Sequence, residues 1–199
     1  AENTLGEIYQ AHSVCYWNRD HRYYQKGHWH GTNDLDGGVL FTQFSHFIDL
    51  IYWLLGPITI NYANASNFNH QQLTEFHDSG QVIFSFGANG QGSLSYSTSL
   101  NQQNFESSIT LIAEKGTVKL GGQYMNTVDY CEIENYTLPI LPDAQPANDY
   151  GNYKGSAANH HFVIQDVINN LIHNADAITT PQEGRAVVEI IESIHNFGK

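Results

Sequence analysis

Basic side chains are scarce in this sequence: eight Lys and Arg stand against twenty Asp and Glu, a formal net charge of −12. A nucleic-acid surface needs clustered Lys and Arg to neutralise phosphates, so that partner class is excluded. Cysteine is scarcer. Cys15 and Cys131 show neither metal nor redox spacing and read as reduced thiols. No apolar run reaches the roughly 18 uninterrupted residues of a membrane span. Val39–Leu55 comes closest in length, but Thr42, Gln43, Ser45, His46 and Asp49 interrupt it. No basic-then-apolar leader is present, and a cytoplasmic location without membrane contact is expected. A G-x-G-x-x-G loop opening a helix is also missing. The glycine cluster Gly87–Gly90 lies between two strand-like runs and reads as a hairpin turn, which excludes a dinucleotide loop there.

Aromatic residues are plentiful, with 12 Tyr, 10 Phe and 3 Trp, and 41% of the 199 residues are hydrophobic. This supports one domain with a substantial core. Strand-like runs are expected over 7–17, 58–68, 74–86, 91–100, 107–114, 117–120 and 124–134. Short turns between consecutive strands predict an open, mostly antiparallel sheet with helices packed on one face, an α+β fold. Ser93, Ser95, Ser97 and Ser99 share one alternate set of positions and mark a polar sheet face. Residues 138–155 read as a Pro-containing loop. Two helices follow, over 159–174 and from Thr180 onward. The second begins with a strong start signal, Thr180-Pro181-Gln182-Glu183. Both carry apolar stripes, Val163 to Ile172 and Val187 to Phe197, that predict core packing.

The chain is organised around Asp36–Gly56. Two glycines open it, helical apolar spacing follows, and Gly56-Pro57 closes it. On a helical wheel over Val39–Leu55, Thr42, His46, Asp49 and Trp53 form a narrow polar arc on an otherwise apolar cylinder. Such a helix is expected to be buried, and its polar stripe then needs partners from this chain or from a ligand. The preceding stretch, Asn18–Asp36, lacks periodicity. It holds Arg19, Arg22 and Lys26, three of the eight basic residues, with Tyr23, Tyr24, His28, Trp29 and His30. Aromatic faces suit sugar rings and Arg suits an anionic group. His28-x-His30 with His46 is a weak metal pattern without convergent carboxylates, and no metal is expected.

Gly37, Gly38, Leu40, His46, Asp49, Trp53, Leu54 and Gly56, preceded by Trp29-His30-Gly31-Thr32, resemble the signature helix of the C-terminal domain of the glucose–fructose oxidoreductase / inositol dehydrogenase (Gfo/Idh/MocA) family. Thr42 stands where that pattern often has Asp or Asn, and Phe44 where it often has Gly. The resemblance implies that residues 1–199 form a substrate-binding and oligomerisation domain. A separate N-terminal Rossmann domain, absent from this chain, is then its partner and holds most of the NAD(P), with none bound to residues 1–199 themselves. The family's catalytic lysine belongs to that domain, so the chain alone is expected to be inactive.

The resemblance makes His46 the expected acid–base group, with Arg19, Tyr24, Trp29, Thr42, Gln43 and Asp49 as substrate-binding residues and Asp49 one turn on as a tautomer-fixing partner. It implies oxidation of a sugar or nucleotide-sugar hydroxyl, with UDP-N-acetylhexosamine 3-dehydrogenases as a similar group, in a homodimer or homotetramer. The alternative is a stand-alone carbohydrate-binding or assembly module.

Overall fold

Strict alternation along the first strand sets the layout. In β1 (Ile8–Tyr16) and the residue after it, Ala11, Ser13, Cys15 and Trp17 are buried while His12, Val14 and Tyr16 are partly exposed on the other face. A period of two is what a strand with one covered face requires. The computed structural model describes residues 4–25, 27–151, 153–157 and 159–198. After β1 come α1 (Val39–Thr42), α2 (Ser45–Leu55), β2 (Ile58–Ser66), β3 (Ser79–Phe86), β4 (Gly90–Ser97), β5 (Glu106–Ala113), β6 (Gly116–Gly121), β7 (Thr127–Ile133), β8 (Ala147–Asp149), β9 (Lys154–Ala157), α3 (His160–His173) and α4 (Pro181–His195).

The main sheet has seven strands in the order β2-β3-β4-β1-β5-β6-β7. It is mostly antiparallel, as expected, but β1 runs parallel to β4 and antiparallel to β5. The chain-order reading misses this because β1 enters the middle of the sheet and splits two later strands. A turn signal reports only on neighbours in sequence. Residues 74–78, expected to begin a strand, belong instead to a loop. Short strands β8 and β9 pair as a hairpin inside the segment expected to be loop. The inner face of the sheet, with Val82, Phe84, Leu94, Tyr96, Ile109 and Leu111, meets α2 and α4 in one core. The opposite face is polar as predicted: His12 Nδ1 lies 2.8 Å from Ser93 Oγ and Tyr16 Oη 2.8 Å from Ser95 Oγ.

The long helix expected over Val39–Leu55 is two helices. Phe44 has φ −114° and ψ 3°, outside the helical range, and its N–H reaches back to the Val39 carbonyl at 2.9 Å. The Phe44 ring is wholly buried and packs against Trp17, Phe47 and Tyr96. The break seats this aromatic in the core, and it removes Thr42 and His46 from a single helical wheel. Trp53, on the polar arc, is 73% exposed.

The last two helices differ from each other. In α4, Val187, Ile190, Ile191 and Ile194 are buried. Its start is the capping box read from sequence, with Thr180 Oγ1 accepting from the Glu183 N–H. In α3 the expected core stripe is exposed: Val163, Ile164, Val167, Ile168, Leu171 and Ile172 are 40–77% accessible, as is the neighbouring Phe162. Among the described residues, no element packs extensively against α3. Among the described residues, no helix is long and apolar enough to cross a membrane.

Candidate functional site

Two buried acidic residues anchor the irregular segments near the helices. Asp36 Oδ2 accepts the Gly31 N–H at 2.7 Å, and Asp36 Oδ1 lies 3.0 Å from the Thr42 hydroxyl. Asp36 thus folds the 31–36 turn onto α1. A Cβ on Gly31, whose φ is +91°, would come within 2.6 Å of the Leu73 carbonyl, so only glycine allows this loop to approach the 67–78 loop so closely. Asp78 is the second anchor, at the start of β3.

A cleft of about 900 Å³ lies between the segment after β1, the α1–α2 junction, the β8–β9 hairpin and the first turn of α3. Four of the sequence-derived candidates line it: Arg19, Thr42, Gln43 and His46. Gln43 is buried; its Nε2 donates to Tyr23 Oη at 2.7 Å, and its Oε1 lies 2.6 Å from the Thr42 hydroxyl. With Gln43 as donor to it, the Tyr23 phenol has its own proton free to point at a ligand. Burial pushes the Tyr23 pKa up to about 12, so the group stays a hydroxyl.

Arg19 is the unusual member. It is only 3% exposed, and its guanidinium carbon sits 5.1 Å from the Trp17 ring centre, 5.2 Å from that of Tyr23 and 4.9 Å from that of Tyr153. Nη1 donates to the Asn18 carbonyl at 2.6 Å and to Asn104 Oδ1 at 3.4 Å, while Nη2 reaches the Lys154 carbonyl at 3.5 Å. Nε has no partner among the described residues, and no described carboxylate pairs with this cation. Burial draws its pKa below the usual value, with the surrounding tyrosines opposing that shift, yet an arginine remains charged. An unpaired buried cation is costly unless something compensates it.

His46 lies on the first turn of α2 at the cleft mouth, still open to solvent. The protein crowded around the ring lowers its pKa from the ordinary 6.5; Asp49 opposes this and His160 adds to it. The imidazole is therefore neutral at physiological pH and can accept a proton. Asp49 is exposed and outside the cleft, and no hydrogen bond joins it to His46 among the described residues.

Two further candidates lie elsewhere. Tyr24 is 1% exposed and packs against Tyr23, His70 and Phe76. Adjacent residues point apart, so only Tyr23 of this pair reaches the cleft. Trp29 is 47% exposed and stacks on His30 outside it. His28, His30 and His46 do not converge; among the described residues no group of three potential ligands is placed to hold a metal. The sequence reading missed Tyr23, Asn104 and Tyr153. Tyr23 carried a signal as the other member of a Tyr pair beside Arg19, whereas Tyr153 arrives from a segment with no periodicity. A second hollow of about 640 Å³, near Phe76, Tyr96 and His195, contains none of the candidates.

Comparison with known proteins decides the family, since the profile described as the GFO/IDH/MocA C-terminal domain matches residues 1–119. The chain belongs to this family. Among solved structures, the GFO/IDH/MocA domain is similar to WlbA dehydrogenase from Bordetella pertussis in complex with NADH and UDP-GlcNAcA, at 28% identity and a TM-score of 0.79, covering 98% of this chain and 53% of that one. WlbA from Chromobacterium violaceum, with the same two ligands, gives 26% identity and a TM-score of 0.80, with coverage of 98% and 53%. Levoglucosan dehydrogenase in complex with NADH, at 15% identity and a TM-score of 0.70 over 98% of this chain and 58% of that one, shares the fold. The chain thus spans about half the length of these dehydrogenases. No curated protein sequence matches it.

Proposed function

We propose that this GFO/IDH/MocA domain is the substrate side of an NAD(P)-dependent oxidoreductase that oxidises a hydroxyl on a sugar or nucleotide-linked sugar, and that the substrate carries an anionic group received by Arg19. The single observation behind this is the buried guanidinium, caged by three aromatic rings and lacking a carboxylate, in the same cleft as His46. A ligand carboxylate would satisfy Nε and replace the weakest contact, that from Nη2 to the Lys154 carbonyl. The UDP-GlcNAcA bound by the two WlbA structures carries such a carboxylate, which supports this substrate class.

Alcohol oxidation removes a hydride from carbon and a proton from oxygen. When bound, the nicotinamide supplies the hydride acceptor. Among the described residues, the glycine cluster Gly87–Gly90 forms the β3–β4 hairpin turn and not a phosphate-cradling loop; a nucleotide-binding half outside residues 1–199 is part of the proposal. Neutral His46 accepts the hydroxyl proton. Thr42, Gln43 and the Tyr23 phenol orient neighbouring sugar hydroxyls. The Trp17, Tyr23 and Tyr153 rings keep water from the Arg19 cation, which strengthens its pull on an anion.

The test compares UDP-GlcNAcA with UDP-GlcNAc, which keeps the diphosphate but lacks the sugar carboxylate, as substrates of the full-length enzyme, following NADH formation. The expected outcome is a strong preference for the carboxylate-bearing sugar that Arg19→Gln abolishes. A preference unaffected by Arg19→Gln would overturn the assignment. The 199-residue chain alone is expected to reduce no NAD with either sugar.

A further inference from the structure

Arg19 lies just beyond the end of β1, where only an isolated bridge between Asn18 and Ser99 continues the pairing. A long side chain in such a place depends on its backbone being fixed. The Arg19 N–H donates to the Thr98 carbonyl at 3.0 Å. The Arg19 carbonyl accepts from His70 Nε2 at 2.6 Å. Both partners lead to one residue. Thr98 donates its N–H to the Asp78 carbonyl at 2.9 Å and its hydroxyl to the same oxygen at 3.2 Å. His70 Nδ1 lies 2.9 Å from Asp78 Oδ2.

The Asp78 side chain is wholly buried and fully engaged. Its Oδ2 also accepts the Phe68 and Asn69 N–H groups at 3.0 and 3.1 Å, and its Oδ1 accepts the Ser79 hydroxyl at 2.8 Å. Burial raises its pKa, but the hydrogen bonds, led by that from His70, outweigh this and hold it well below the usual carboxylate range. His70 is 2% exposed. Its Nε2 faces a carbonyl oxygen and its Nδ1 a carboxylate oxygen, so each ring nitrogen meets an acceptor. Neither His70 nor Asp78 lines the cleft that holds His46. A buried ion pair is a poor source of net stability compared with apolar packing, and its better-attested use is to specify one arrangement.

We propose that His70 and Asp78 act as a positioning pair: they hold the backbone of Arg19 so that its guanidinium faces the cleft, and selectivity for an anionic substrate depends on them although they never touch it. This rests on the assignment of Arg19 as the anion receptor. A pair that only stabilised the fold would, when altered, change the handling of all substrates alike. A positioning pair changes one ratio.

The experiment uses full-length Asp78→Asn, an isosteric change that removes the charge facing His70, alongside Arg19→Gln. The readout is kcat and KM for UDP-GlcNAcA, UDP-GlcNAc and NAD. The expected result is a roughly tenfold rise in KM for UDP-GlcNAcA, the scale of one weakened charge-assisted hydrogen bond, with kcat and the other two KM values little changed. If Arg19→Gln abolishes the carboxylate preference and folded Asp78→Asn keeps it, the positioning role is overturned and the Arg19 assignment stands. If Arg19→Gln leaves the preference intact, the Arg19 assignment itself fails. Should Asp78→Asn not fold, His70→Gln replaces it, with the same expectation. In the unsubstituted enzyme, long-range 15N–1H spectra of labelled histidine are expected to show both His70 nitrogens protonated; a singly protonated ring overturns the proposal without any variant.

Discussion

The interior between the sheet and α2 with α4 is closed, whereas the neighbouring region around Arg19, His46 and α3 is open. In the closed region, Ile191 is 1% exposed, and Ile48, Ile51, Phe84 and Leu94 are likewise shut off from solvent. In the open region, the Arg19 cation has no carboxylate partner among the described residues and a helix turns seven large apolar side chains outward. The same residue types therefore do different work a short distance apart. Where apolar and charged groups are matched, they hold the fold. Where they are left unmatched, they are the groups we propose to meet a ligand or a partner.

This contrast is sharpened by pairing substitutions across the two regions. Ile191→Ala is expected to lower the unfolding free energy by about 2–5 kcal/mol, the range for truncating a core aliphatic, as read from urea unfolding. Thr180→Ala removes the α4 cap and is expected to cost about 1 kcal/mol by the same measurement. Leu171→Ala in α3, where the side chain is 77% exposed, is expected to change the stability of the 199-residue chain by no more than about 0.5 kcal/mol. A loss in Leu171→Ala as large as that in Ile191→Ala would break the comparison. A loss confined to the longer protein would show that α3 is covered there.

The sequence made the closed region easier to read than the open one, for physical reasons. The α4 start is written in local chemistry: Thr180 and Glu183 satisfy each other's orphan groups within one turn. The inner faces of β1, β3 and β4 follow from alternation. The break at Phe44 left no mark, because a large apolar residue fits a helical pattern and only the three-dimensional core sets its ring position. The parallel pairing of β1 with β4 depends on chain order in space. The stripe on α3 was visible, but periodicity says that a face is apolar without saying what lies against it. Within the site, Arg19, Thr42, Gln43 and His46 were legible from their segment. The aromatic cage was not, since Tyr153 reaches Arg19 from far along the chain. Tyr24 and Trp29 were drawn from the same aromatic loop, where composition cannot tell which rings face inward.

The pH dependence offers a smaller test of the open region. A depressed His46 pKa means that kcat/KM rises with pH as the imidazole loses its proton, and that this limb lies below the ordinary 6.5. A limb above that value would contradict the environment described for His46.

The central claim is that His46 works at a substrate rather than in the fold. Turnover by the full-length His46→Ala enzyme tests it most directly, with the unfolding midpoint measured on the same sample. The expected result is a loss of about 10²-fold or more in kcat, the general acid–base scale, with the midpoint essentially unchanged. Near-normal turnover in the folded variant would contradict it.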